Sequence, residues 1–388
     1  MKYTRMPIEI EAPEQLGYDT IECNLTESSY ADFTFKDLGL KLDDLVIAYV
    51  DHVGHPALRG LLAKDAGLTP GQVLLTAGAA QALFIISTTL LEKGDELVVI
   101  RPNYATNLET PRAIEASLKI VDLKFEDDWK IRLDDLEAAI TPHTKLVSIT
   151  VPHNPTGTTL TREEVQAIVE LTRRKGCYLL VDETYREMAF DGVLPYAAAS
   201  TETSSDHVIS VASFSKTFGL PGIRVGWLMT QNAELFERFF AAKEQIQICG
   251  SALDEEIAYQ FYCRKQEFLP TILANLKRRF GILKSWMESQ IYLEWVEPRG
   301  GCVAFPRIKD SVLAQIDLER FYRTLNDEFS THVGPGHWFE QHQRYFRIGY
   351  GWPTDEKLKK GLAAITKAIE AAKASSASTA ARTESDSR

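Results

Sequence analysis

An α/β fold, with a mainly parallel sheet between helices and a smaller α+β domain after it, is the architecture this sequence predicts. Three observations carry the expectation. Short apolar runs alternate with helical patterns from about residue 70 to about residue 230. The runs are apolar along their whole length, as in strands buried on both faces. After about residue 230 long helices replace the alternation, so a second unit begins there.

The elements follow in order. The first 45 or so residues precede the alternation and are expected to join the second unit. Strands are expected at VLLTAG from Val73, ELVVIRP from Glu96, SLKIVDL from Ser117, KLVSITVP from Lys145, YLLVDE from Tyr178, VISVASF from Val208 and RVGWLMT from Arg224. Helical patterns separate them. TREEVQAIVELTRRKG is the clearest, with Thr161 and Glu164 spaced as a capping box. Beyond 230 come AELFERFFAAKEQIQICGSALDEEIAYQFYCRKQEF and PTILANLKRRFGILKSWMES as long helices. Strand-like pieces follow at YLEWVEPRGGCVAFPRI and QRYFRIGYG, then a last helix near TDEKLKKGLAAITKAIEAAK. The expected organisation is an N-terminal segment 1–48 joining the small domain, a large domain 49–284, a small C-terminal domain 285–371 and a disordered tail 372–388. The tail, AKASSASTAARTESDSR, is small, polar and without period.

The chain has 388 residues, 45% hydrophobic and 25% charged, the composition of an ordinary globular protein. Its 43 basic and 54 acidic residues give a net charge of −11. That disfavours nucleic acid or an anionic membrane as the main partner. No apolar run approaches the ~18 residues of a membrane span, and MKYTRMPIEIEAPEQ lacks the apolar core of a signal peptide. Cys23, Cys177, Cys249, Cys263 and Cys302 are odd in number and without metal spacing. Neither a disulfide framework nor a metal site is expected, and the cytoplasm is the expected compartment.

In a parallel sheet the ligand sits at the carboxyl ends of the strands, and the unusual residues of this chain fall there. In TAGAAQAL, Gly78 turns a strand into a helix whose free Ala79 and Ala80 N–H groups suit an anion. By itself that is only a turn. In RPNYATN, Tyr104 is placed to stack on a flat ring or simply to pack. In VPHNPTGTTL, Asn154 lies in a turn and has an amide for a ring oxygen. In LLVDETY, Asp182 ends an apolar strand, where a buried acid needs a cationic partner. Tyr185 follows three residues later with a hydroxyl. In SFSKTFGLPGIRVGW, desolvation is expected to make Lys216 an amine nucleophile. Arg224, Ser213 and Ser215 suit a phosphate. Phosphate, flat ring, basic ring nitrogen, ring oxygen and aldehyde together describe pyridoxal 5′-phosphate.

With these residues in order, the sequence resembles the class I/II, fold-type I, pyridoxal-phosphate-dependent aminotransferases from about Asn24 to Ala371. SFSKTFGLPGIRVGW is the most specific part. The resemblance implies Lys216 as the Schiff-base lysine and Asp182 as the partner of the ring nitrogen. It implies Asn154 and Tyr185 on the ring oxygen, Tyr104 stacked, and Ser213 and Arg224 on the phosphate. Arg347 in YFRIGYG matches the arginine that binds the substrate α-carboxylate. Tyr49 in IAYVDHVGHPALRG matches the tyrosine that reaches the phosphate of a neighbouring subunit, which implies a homodimer with shared sites. Ala80 departs from the pattern: many members carry Ser or Thr there, so one hydroxyl contact to the phosphate is missing.

CNLTESSYADFTFKDLGL, EPRGGCVAFPRI and THVGPGHWF resemble the branch of the family that contains capreomycidine synthase. That likeness implies specialised metabolism and an arginine-like, hydroxylated amino acid. Glu27 would then meet a cationic side chain; the plainer reading is a surface glutamate. The expected activity is an aminotransferase acting on an L-α-amino acid, with a lyase or cyclase as the alternative. A non-catalytic sensor on this fold is the remote one, since no fused DNA-binding domain is evident.

Overall fold

The computed structural model describes residues 1–199 and 205–385, with side chains to 373. The strands in chain order are β1 (Cys23–Leu25), β2 (Val73–Thr76), β3 (Glu96–Arg101), β4 (Ser117–Asp122), β5 (Thr144–Thr150), β6 (Tyr178–Asp182), β7 (Val208–Ser213) and β8 (Gly226–Met229). They continue with β9 (Leu293–Glu294), β10 (Val303–Ala304), β11 (Arg307–Ile308), β12 (Thr331–Pro335) and β13 (Phe346–Gly349). Contacts divide the chain into a large unit, 1–4, 32–273 and 299–301, and a small unit, 5–31, 274–298 and 302–388.

The large unit holds a seven-stranded sheet in the order β2-β8-β7-β6-β5-β3-β4. β3 to β7 pair in parallel, and β8 runs antiparallel to both β7 and β2. Helices Gly78–Leu90, Thr106–Ile114 and Ala233–Gln247 pack their apolar side chains, Leu83, Ile86, Leu108 and Phe239 among them, with the strands' Leu74, Val99, Leu146 and Leu228. β4 is the exception to two-faced burial. It is an edge strand whose Ser117, Lys119 and Asp122 face water. The helix Arg162–Lys175 starts on the expected box: Thr161 Oγ1 accepts from Glu164 N at 3.2 Å, and Glu164 Oε2 accepts from Thr161 N at 2.7 Å.

The helices after 230 are divided differently from the sequence reading. They are Ala233–Gln247, Ala252–Cys263 and Lys265–Glu288. Ile248 takes a left-handed φ of 65°, ending the first, and Ser251 caps the second through Asp254 N. Pro270 lies inside the third instead of starting it; the carbonyl it leaves without a donor, four residues back, belongs to exposed Gln266.

The unit boundaries also lie elsewhere, at 31/32 and 273/274 rather than 48/49 and 284/285. Residues 32–48 belong to the large unit because its loops hold them. Phe33 N donates to Gly219 O at 3.2 Å, Arg264 reaches Leu38 O at 2.7 Å, and Gln260 brackets Lys41. Residues 299–301 join the same unit through Arg299 and Gly300 N–H bonds to Gly157 O.

In the small unit β1 lies parallel to β12, which pairs antiparallel with β13, which pairs antiparallel with β10. β9 and β11 form a two-stranded ribbon. The helix Asp355–Ser385 closes the unit, burying Leu358, Leu362, Ile365 and Ile369. The tail expected at 372–388 lies outside the described residues in its last three positions, and outside the described side chains from 374 on.

Candidate active site

The large unit gathers the predicted residues at the carboxyl edge of its sheet. After β2, Gly78 turns with φ +74°, and Thr76 Oγ1 donates to its carbonyl at 2.9 Å. The helix Gly78–Leu90 therefore opens with the Ala79 and Ala80 N–H groups at its N-terminus. The start of β8 lies tight against this point: a Cβ on Gly226 would come within 2.5 Å of Gly78 C and 2.7 Å of Ala79 N. A Cβ on Gly78 would come within 2.8 Å of Arg224 Nη2. The guanidinium thus covers the helix N-terminus, held by Pro221 O at 2.9 Å and approaching Ser215 Oγ at 3.5 Å. Ser213 Oγ accepts from Ser215 N at 3.3 Å. Arginine, two serines and free helical N–H groups form a donor set for a phosphate.

Beside this cradle stands the ring end of the site. Asp182 closes β6 and is buried. Burial pushes its carboxyl up from the ordinary value, while the Thr184 hydroxyl (2.5 Å), the Thr184 N–H (3.1 Å) and the charge of Lys216 pull it down. A buried acid that gains from a nearby cation fits a protonated heterocyclic nitrogen. Asn154 and Tyr185 are buried as well, in the loops that follow β5 and β6, whose ends are joined where Val151 N donates to Asp182 O at 2.9 Å. Thr217, after Lys216, donates to Thr184 O at 3.3 Å. Tyr104 is half-buried after β3. The residues present therefore fit pyridoxal 5′-phosphate, with Ala80 contributing only its backbone.

Tyr49 belongs to the large unit but is 86% exposed in the single chain. Glu27 and Arg347 belong to the small unit. Arg347 is buried on β13; its Nη2 donates to Thr26 O at 2.6 Å, and its guanidinium stands 5.0 Å from the centre of the Phe339 ring. The Glu27 backbone runs beside it, since a Cβ on Gly349 would meet Glu27 O. Tyr18 donates to Glu27 Oε1 at 3.0 Å and stacks on Trp352 with ring centres 6.0 Å apart.

Sequence reasoning missed Asn103, His153, Thr184, Tyr18 and Trp352. Asn103 and His153 adjoin Tyr104 and Asn154, and a polar residue in an apolar strand-end run was the available signal. Tyr18 and Trp352 are far apart in sequence, and nothing short of the fold pairs them.

The family profile described as aminotransferase class I and II matches residues 23–365. Capreomycidine synthase of Streptomyces vinaceus is 29% identical over 363 residues, 91% of this chain and 91% of that protein. A PLP-dependent aminotransferase from Streptococcus suis is similar with a TM-score of 0.86 and 26% identity, covering 96% of this chain and 99% of the other. The PLP-dependent cyclase OrfR is similar with a TM-score of 0.84 and 26% identity, covering 95% and 98%.

Proposed function

This chain belongs to the class I and II aminotransferases and is a pyridoxal-phosphate enzyme, and from that premise we propose that it acts on an L-α-amino acid, by default releasing a 2-oxo acid. The observation that carries the reading is the buried Asp182 near the charge of Lys216, beside the anion cradle of Arg224 and the helix N-terminus.

When bound, the cofactor supplies an electron sink for negative charge at the substrate Cα. Its phosphate would be held by the Gly78–Ala80 backbone, Ser213, Ser215 and Arg224, its ring by Tyr104, Asn154, Tyr185 and Asp182, and its aldehyde carbon by Lys216. Asp182 keeps a proton on the ring nitrogen by opposing its charge. Arg347 receives the α-carboxylate with its planar fork. Fixing the carboxylate selects which bond at Cα is broken. The Lys216 amine takes the Cα proton and returns a proton afterwards. Lys216→Ala should abolish turnover and the covalent attachment of cofactor that borohydride reduction traps; intact attachment by mass spectrometry would refute the assignment.

The assembly we infer is a cytoplasmic homodimer, in which Tyr49 reaches the phosphate site of a second copy. Val46 and Ile47 beside it are likewise exposed in the single chain. No described helix is long and apolar enough to cross a membrane.

A second reading is a lyase or cyclase for an arginine-like amino acid in specialised metabolism. The observation favouring it is the Glu27 carboxylate held by the hydroxyl of Tyr18, whose ring stacks on Trp352, in the same unit as Arg347. A carboxylate beside flat rings suits a planar cation. A single-turnover panel of amino acids, with arginine and hydroxyarginine included, separates the two. A 2-oxo acid with lasting loss of the cofactor's starting absorbance marks an aminotransferase. A fragmented or cyclised product with that absorbance restored marks the second reading. A preference for arginine that Glu27→Gln removes would place the cation at Glu27. No spectral change with any L-amino acid would overturn both readings.

A further inference from the structure

We propose that His153, through its imidazole, is a positioning residue that ties the Asn154 loop to the Tyr104 loop and so sets how tightly Asn154 holds the cofactor's ring oxygen. The inference rests on the cofactor site proposed above.

β3 and β5 are neighbours in the sheet, and the loops that leave them carry Tyr104 and Asn154. His153 is buried between the two loops. Its Nε2 lies 2.9 Å from Pro102 O, and its Nδ1 lies 2.7 Å from Thr156 Oγ1. A carbonyl cannot donate, so Nε2 carries a hydrogen and donates to Pro102. Burial lowers the imidazole's pKa to about 4, so near neutrality Nδ1 is a lone pair and the Thr156 hydroxyl donates to it. The Thr156 oxygen in turn meets the Thr158 hydroxyl at 2.8 Å and the Thr158 N–H at 3.3 Å. The backbone of His153 is bound as well, its N–H to Thr158 O and its carbonyl to Gly157 N, both at 2.8 Å. Side chain and main chain therefore close the turn that presents Asn154.

The Tyr104 side is held by a second buried amide. Asn103 Nδ2 donates to Ile100 O at 3.1 Å. Its Oδ1 accepts from Tyr104 N at 2.8 Å, Asn107 Nδ2 at 3.0 Å and Thr150 Oγ1 at 3.3 Å. Thr150 is the last residue of β5, so the two strand ends are cross-linked twice. Tyr104 would face the plane of a bound cofactor ring and Asn154 its edge. A strap between the two loops fixes the separation of the Tyr104 ring from the Asn154 amide. Buried polar networks of this kind hold one geometry because every alternative strands a polar group.

The test compares His153→Asn, which loses the reach to Pro102, with His153→Gln, whose amide reaches as far as Nε2. Two readouts apply: the dissociation constant of pyridoxal 5′-phosphate from the apoprotein, and the pH midpoint of the holoenzyme's cofactor absorbance. The expected result is a Kd about tenfold higher for His153→Asn, one hydrogen bond's worth, with a shifted pH midpoint and with His153→Gln close to wild type. In an Asn154→Ala background the His153 change should shift the midpoint no further, because it acts through Asn154. Should His153→Asn fail to fold, His153→Met, which fills similar space without a donor for Pro102 O, is read the same way. A wild-type Kd and midpoint in the folding variant, or a full additive shift on Asn154→Ala, would overturn the strap. Loss of all cofactor binding in wild type as well would instead refute the site itself.

Discussion

Glu183 follows Asp182, and the two acids show how one buried edge assigns different tasks to adjacent carboxyls. Asp182 faces the charge of Lys216. Glu183 is buried as well and accepts from Ala197 N at 3.0 Å, and burial pushes its carboxyl up to about 8. A native acid with a raised pKa holds a proton that the unfolded chain has released. Between its ordinary value near 4.5 and about 8, the folded state therefore binds more protons, and stability falls as pH rises. Thermal unfolding followed from pH 5 to pH 9 should show Tm falling more steeply in wild type than in Glu183→Gln. Parallel curves would mean that Glu183 is not a buried neutral acid. Asp182 was legible in the sequence because it ends an apolar run. Glu183 was not, since its burial depends on the 197–199 turn folding over it.

At the scale of elements, the anion cradle exists because β8 can lie against the first turn of the helix Gly78–Leu90. Gly226→Ala puts a methyl 2.5 Å from Gly78 C and 2.9 Å from Ala212 O. Backbone on both sides must move, at a cost of about 1–3 kcal/mol. That should lower Tm by several degrees and weaken cofactor binding at the same time. Gly222→Ala is the control, since its Cβ meets nothing within 4 Å. Equal behaviour of the two variants would remove the close approach from the account. The glycines were visible in SFSKTFGLPGIRVGW, but the pairing of Gly226 with Gly78 comes from the antiparallel β2–β8 register, where Thr76 faces Gly226.

At the scale of the molecule, a tyrosine that is 86% exposed beside exposed Val46 and Ile47 is costly for a lone chain and natural for an interface. Sedimentation should give twice the monomer mass. Lys216→Ala and Tyr49→Ala chains, each impaired by itself, should regain activity when mixed, because the hybrid contains one site with both residues intact. No gain on mixing, with mixed dimers present, would exclude sharing of Tyr49. Arg347 lies more than a hundred residues beyond Lys216, buried on β13 of the small unit.

The alternation of apolar runs and helices, the class of fold and the order of residues at the strand ends were determined by the sequence alone. Periodicity and local turn chemistry are properties of neighbouring residues, and they survive without a fold. The family resemblance added Tyr49 and Arg347, which no local pattern would single out. What only the tertiary structure decided are the relations across strands: His153 bridging to Pro102, Asn103 to Thr150, Gly226 against Gly78, and Tyr18 stacked on Trp352. It also decided that residues 32–48 belong with the large unit and that Pro270 lies within a helix. Each of these depends on which distant segments share a boundary, and burial, register and close approach are set by that partner rather than by the residue itself.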